Sequence, residues 1–162
     1  MDPVSESRLN VVHPALAAII RQMAGILMHE SIDLRVTQGL RSFDEQAALY
    51  AQGRTVPGSI VTNARPGYSW HEFGLAVDVA PFDTQGKPDW NVFHPAWKRI
   101  VSLGISLGLF SGTQFTKLCD TPHFQLTGDL PVSPDDDTRQ AFETGGLLAV
   151  WHNANIQESQ DV

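Results

Sequence analysis

Ser69-Trp70-His71-Glu72-Phe73-Gly74-Leu75-Ala76-Val77-Asp78 is the stretch on which the reading of this chain turns. From Leu75 the residues alternate, with Leu75, Val77 and Val79 on one side and Ala76, Asp78 and Ala80 on the other. That is the pattern of a half-buried strand. Asp78 therefore emerges between two alanines, which leaves space beside its carboxylate. His71 lies seven residues earlier. A regular strand would hold the pair about 23 Å apart and a helix about 10 Å, too far for both to reach one metal ion. The chain must bend between them, and Gly74 is the residue that permits it.

Far downstream, Asp120-Thr121-Pro122-His123 supplies a second imidazole and a second carboxylate. His71, Asp78 and His123 make three protein ligands with a fourth position left open, the arrangement of a catalytic rather than a structural zinc. One cysteine, Cys119, rules out a cysteine-rich closed site. His71-Glu72 begins like the helical H-E-x-x-H motif, but the fifth position is Leu75, so that mechanism fails and Glu72 reads as a solvated loop residue. Pro122 disfavours helix before it, so a turn is expected to swing Asp120 beside the metal. A carboxylate there that is not a ligand can take a proton from the water a zinc activates. The alternative reading of Asp120 is a turn-forming residue.

Around this centre the chain reads as α+β: a small mixed or antiparallel sheet flanked by helices, without a regular βαβ rhythm. A first helix is expected from about Pro14 to Met28, with Leu16, Ile20, Met23 and Leu27 on its inner face. Leu34 to Thr37 reads as a strand. Ser42 and Glu45 form a capping box for a second helix that should stop at Gly53. Residues 53–70 hold Gly53, Pro57, Gly58, Pro66 and Gly67 and read as loop, with a strand around Ile60-Val61. A third helix begins near Pro95 and carries Trp97, Ile100, Val101 and Leu107 inward despite Gly104. His123 to Leu126 reads as a strand with Phe124 and Leu126 facing away from the site. The last helix, from about Pro134 to Trp151, is broken near Gly145-Gly146.

The composition is that of an ordinary folded chain: 162 residues, 42% hydrophobic and 18% charged. The net charge of −7 is uneven. Residues 128–162 hold seven acids against Arg139 alone, a local −6, and the first 127 residues account for the remaining −1. No basic stripe suggests nucleic acid. No apolar run approaches the roughly 20 residues of a membrane span. The first residues lack the basic start and apolar run of a secretory signal, which implies a cytoplasmic protein until some other route delivers it. Cys119 is expected in the core. His13, His29, His94 and His152 have no ligand spacing and read as structural or exposed. Trp70 reads either as a substrate-stacking ring or as a cover for its loop, and the C-terminal acids as a solvated face.

These motifs resemble the zinc D-alanyl-D-alanine carboxypeptidases, within the larger set that includes lysostaphin-type peptidases and hedgehog domains. The pattern S-x-H-x-x-G-x-A-x-D is met by Ser69, His71, Gly74, Ala76 and Asp78, and [DE]-x-x-H by Asp120 and His123. Pro122 to Gln125 matches as well. Gln38 to Ser42, and Gln46 with the run Leu49 to Arg54, resemble the branch of phage L-alanyl-D-glutamate endopeptidases. The resemblance covers residues 12–127 of a single domain spanning 1–162, with an acidic helical segment at 128–162.

It implies one zinc held by His71, Asp78 and His123, and Asp120 as base and then acid. It implies that Arg41 steadies the oxyanion, and that Ser69 and Gln46 hold the peptide or the site. Without it, Arg41 could be a partner for Asp44 or Glu45, Gln46 a helix-surface residue and Ser69 a loop hydrogen-bonder. The implied substrate is the stem peptide of peptidoglycan, cut at the L-alanyl-D-glutamate bond by a monomeric phage or prophage lysis enzyme released through a holin. The alternatives are a D,D-carboxypeptidase and a metal-containing wall-binding module without activity. Where many endopeptidases of the branch carry Trp-Gly-Gly-Asp-Trp, this chain has Ser111-Gly112-Thr113-Gln114-Phe115. That loop is expected to form one wall of the cleft.

Overall fold

The computed structural model describes residues 1–116 and 119–157. Its helices are α1 (Pro3–Leu9), α2 (Pro14–His29), α3 (Phe43–Ala51), α4 (Pro95–Ser106) and α5 (Asp136–Ala154). The strands are β1 (Asp33–Gln38), β2 (Ala76–Phe82), β3 (Phe110–Ser111) and β4 (His123–Gln125), with one-turn 3-10 helices at Trp70–Phe73 and Gly112–Gln114. The strands form one sheet in the order β1-β2-β4-β3, antiparallel at every pairing. The fold is α+β, as the sequence implies.

Local chemistry starts each helix. Pro14 and Pro95 occupy the first turns of α2 and α4, where a missing N–H costs nothing. The residue before each is a histidine whose Nδ1 accepts an orphan N–H, His13 from Ala15 and His94 from Ala96. In α3 the capping box forms in full: Glu45 N–H donates to Ser42 Oγ at 3.1 Å, and Ser42 N–H to Glu45 Oε2 at 2.7 Å. Such caps stabilise a helix by about 1 kcal/mol. α3 ends at Ala51, and Gly53 follows with φ +70°.

Two apolar clusters lie on either side of the sheet's central strands. Leu16, Ile20, Met23 and Leu27 of α2 pack with Leu34 and Val36 of β1, Val77 and Val79 of β2, Trp97 and Ile100 of α4, and Phe124 of β4. Burial of each large side chain here contributes about 1.5–3 kcal/mol. Gly104 makes this possible within α4, because a Cβ there would stand 2.3 Å from Phe124 Cε1. In the second cluster Trp70, Phe73, Leu75 and Ala76 pack against Val150 and Ala154 of α5. Leu75 thus belongs with its neighbour Ala76 rather than with Val77 and Val79, because it precedes the regular strand.

Several expectations need correction. Residues 59–65 form no strand; Ile60 and Val61 are exposed, and Arg54 ties the segment as a loop through the carbonyl of Thr62 and the side chain of Asn63. α1 and β3 were not expected. Cys119 is exposed, because the turn that carries Asp120 inward directs its neighbour outward. α5 runs to Ala154, but Gly146 takes φ +64° and ψ −156°, a kink at the expected break. Asp129, Asp135, Asp136, Asp137 and Glu143 are exposed. Glu158 and Asp161 lie outside the described residues. Among the described residues no helix is long and apolar enough to cross a membrane.

Candidate metal centre

β2 and β4 position two of the three expected ligands. Their register pairs Asp78 with His123 directly, so both side chains leave the same face of the sheet, opposite Phe124. The third, His71, sits in the 3-10 turn Trp70–Phe73. That turn is closed by Gly74 at φ +66° and ψ 21°, a left-handed conformation that glycine adopts without a Cβ penalty. The bend between His71 and Asp78 is therefore at the residue the sequence indicates.

The donor atoms form a nearly equilateral triangle. His71 Nε2 lies 3.2 Å from Asp78 Oδ1 and 3.2 Å from His123 Nδ1, and His123 Nδ1 lies 3.4 Å from Asp78 Oδ1. A tetrahedral zinc with bonds near 2.05 Å has ligand–ligand edges of about 3.3 Å. The opposite ring nitrogens fix the tautomers. His71 Nδ1 donates to the Gly39 carbonyl at 2.9 Å, and His123 Nε2 to Gln125 Oε1 at 3.0 Å. With those tautomers, two ring nitrogens and a carboxylate oxygen face one another, an arrangement that a cation at its centre would satisfy. The donor set fits a divalent metal of the zinc type.

Charge around the triangle is strongly perturbed. Burial opposes ionisation of Asp78, but the two histidines overcome it and hold its pKa far below the usual carboxylate value. Burial likewise opposes a charged His123, yet its hydrogen bond to Asp78 and that negative charge raise its pKa. Asp120 is raised first by burial and then by the charge of Asp78. It reaches the site through a turn in which Asp120 N–H donates to Gly112 O at 3.0 Å and His123 N–H to Asp120 O at 3.2 Å. Gly112 is required there, since a Cβ would meet Asp120 O at 2.2 Å.

Arg41 enters from the other side. Its backbone N–H donates to His71 O at 3.0 Å, Nη1 to Gln46 Oε1 at 2.7 Å, and Nη2 lies 3.7 Å from Asp78 Oδ2. It pairs with neither Asp44 nor Glu45 among the described residues. Gln46 is fully buried behind it, and its Nε2 donates to Ala64 O at 2.7 Å. Gln46 is not among the residues that line the cleft, and its side-chain bonds are to Arg41 and Ala64. Arg41, Ser69, His71, Asp78, Asp120 and His123 all line one open cleft of about 1070 Å³.

Comparisons with known proteins point to one family. The family model for VanY, D-alanyl-D-alanine carboxypeptidase, matches residues 9–99. The peptidoglycan L-alanyl-D-glutamate endopeptidase CwlK of Bacillus subtilis (strain 168) is 34% identical over 122 residues, which cover 71% of this chain and 73% of that protein. The chain belongs to the VanY family of peptidoglycan peptidases. Among solved structures, the Serratia marcescens L-Ala D-Glu endopeptidase ChiX superposes with a TM-score of 0.57 at 28% identity, covering 78% of this chain and 89% of its own. The L,D-carboxypeptidase DacB from Streptococcus pneumonia shares the fold, with a TM-score of 0.52 at 21% identity over 70% of this chain and 65% of its own. The VanY match ends before Asp120 and His123, whose placement rests on the strand register and turn described above.

Two supports of this VanY-family site, Glu72 and Gln125, escaped the sequence reading, and Trp70 is a third support. Glu72 is not solvated: it is 2% exposed and accepts the backbone N–H groups of Gly67 and Ser69 at 2.9–3.1 Å. Burial raises its pKa, and those hydrogen bonds only partly offset the rise. Its signal was present, for Ser69-x-x-Glu72 is itself a capping-box pattern. Gln125 orients His123, and its Nε2 donates to Val132 O at 2.9 Å. Two-residue spacing from His123 places it on the same strand face. Trp70 Nε1 donates to the same Val132 carbonyl at 2.9 Å, so this ring anchors the wall. The loop that departs from the endopeptidase pattern does form a wall: Gln114, Phe115 and Thr116 line the cleft, and Phe115 packs 5.4 Å from the His123 ring.

Proposed function

We propose that this chain is a zinc-dependent peptidase that hydrolyses the L-alanyl-D-glutamate bond of the peptidoglycan stem peptide. The observation that carries the reading is the donor triangle facing an open cleft, with Asp120 and Arg41 on its flanks. The endopeptidase names of CwlK and ChiX support that bond. When bound by His71, Asp78 and His123, the metal supplies a Lewis acid that acidifies water and polarises a carbonyl oxygen.

The chain's own residues do the rest. Asp120 takes a proton from the attacking water and returns it to the leaving amine. Its raised pKa makes it a better base toward that water than an ordinary carboxylate, and the proton it gains is then available to the amine. Arg41, fixed by Gln46 and by its backbone bond to His71, sets a permanent positive charge where the carbonyl oxygen becomes negative. Glu72 holds residues 67–69 in place, so Ser69 meets the peptide from a rigid wall. The biological setting we assign is cell-wall lysis in a phage or prophage, with the enzyme held inside the cell until a holin-type release. The branch resemblance at residues 38–42 and 46–54 supports it.

Digestion of purified cell walls, with mass spectrometry of the released peptides, tests the reading. Products with a new N-terminal D-glutamate are expected. Free D-alanine, with the L-alanyl-D-glutamate bond intact, would instead assign a D,D-carboxypeptidase, the activity for which the family is named.

A further inference from the structure

The whole sequence carries −7, yet residues 53–69, which run along one side of the cleft, contain Arg54 and Arg65 and no acid. Ala64, Tyr68 and Ser69 of this segment line the cleft. The cations near it are not equivalent. Arg41 is committed to Gln46 and Asp78. Arg54 donates to the carbonyls of Tyr50 and Thr62 and to Asn63 Oδ1, and so builds the loop. Arg139 pairs with Asp136 and donates to the carbonyls of Gly67 and Pro134.

Arg65 is different. Among the described residues its side chain makes no hydrogen bond or ion pair, and its guanidinium lies 4.8 Å over the centroid of Tyr68. Tyr68 is itself steadied by Arg139, 4.1 Å from the same centroid. A guanidinium laid on an aromatic ring is restrained in orientation while its edge N–H donors stay available to a planar carboxylate. Arg65 does not itself line the cleft, but it follows Ala64 and stacks on Tyr68, which both do, so this restrained cation lies beside the cleft wall.

The substrate of the proposed reaction has a matching group. A glutamate acylated on its nitrogen keeps two carboxyl groups, and a peptide chain continues through at most one. The other is an anion at neutral pH, a few bonds from the scissile carbonyl, unless it has been amidated. We propose that Arg65, seated on Tyr68, is the specificity-determining residue that binds this free carboxylate. The inference rests on the endopeptidase reading above.

Two synthetic stem peptides test it, one with the free glutamate carboxylate and one with that carboxylate amidated. Wild-type protein is expected to favour the acid by about tenfold in kcat/KM, mostly through KM, as a charge-assisted hydrogen bond allows. Arg65→Ala should lose that factor on the acid and leave the amide unchanged. Arg65→Lys should recover part of it, because a point charge lacks the fork. The preference should shrink with added salt. Equal cleavage of both peptides by wild-type protein would overturn the inference alone, as would an equal loss on both in Arg65→Ala, which would mark a loop-building residue. Release of D-alanine from both, without alanyl-glutamate cleavage, would overturn the functional reading and this inference together.

Discussion

Replacing Gln125 with leucine isolates the support behind His123. Gln125 is 2% exposed, and its Nε2 bond to Val132 O turns the amide so that Oε1 meets His123 Nε2 at 3.0 Å. That contact keeps the proton on Nε2 and leaves Nδ1 bare toward His71 and Asp78. Leucine is close in volume and removes both hydrogen bonds. Val132 O keeps Trp70 Nε1, so the cost to folding comes mainly from the stranded His123 N–H, about 1–3 kcal/mol. The larger effect falls on the metal. With tautomer and ring angle no longer fixed, zinc affinity should drop about 10–100-fold, equivalent to about 1.4–2.8 kcal/mol. Titration of metal-stripped protein with zinc against a chromophoric chelator measures it, with circular dichroism as the check on folding. Gln125→Glu keeps an acceptor for His123 but loses the donor to Val132 O, so it should retain more of the affinity than the leucine variant. A folded leucine variant that binds zinc as tightly as wild type would refute the argument.

Asp120→Asn should keep its metal by elemental analysis while peptide turnover falls at least about 100-fold, the scale of a lost general base. A variant that turns over normally would show that Asp120 is not the base. Gly104→Ala places a Cβ 2.3 Å from Phe124 in the main core and should destabilise the fold by about 1–3 kcal/mol in urea denaturation. Glu72 gives a pH signature. Its folded pKa is raised, so its contribution to stability is fully present below the unfolded value of 4.5 and is lost as pH rises through the folded one. The stability of wild type relative to Glu72→Gln should therefore decline from pH 4 to pH 7, and a rising difference by chemical denaturation would contradict the burial argument.

Some of the site was legible because its signals are local or chemical. Alternation around Asp78, Gly74 before it, and the donor types of His71 and His123 need only the order of residues and the geometry of a strand. Ser42 and Glu45 close their capping box within four residues. Glu72 shows the limit: its capping pattern was equally local, but its burial depends on the second cluster, where α5 covers the turn from some seventy residues away. Ile60 and Val61 show the converse, β-favouring residues left exposed in a loop that Arg54 ties down through Thr62 and Asn63.

Amino-acid order by itself pointed to the side chains that meet at the cleft, and to where the backbone turns between them. Those choices follow from covalent spacing and side-chain type, which act over a few residues and hold in any context. Only the tertiary structure decided that Asp78 faces His123 across β2 and β4, that Gln125 reaches Val132, and that Arg65 stacks on Tyr68 beside the cleft wall. Such pairings join residues distant in sequence, and packing of the whole chain selects them from alternatives that the local rules leave equally open.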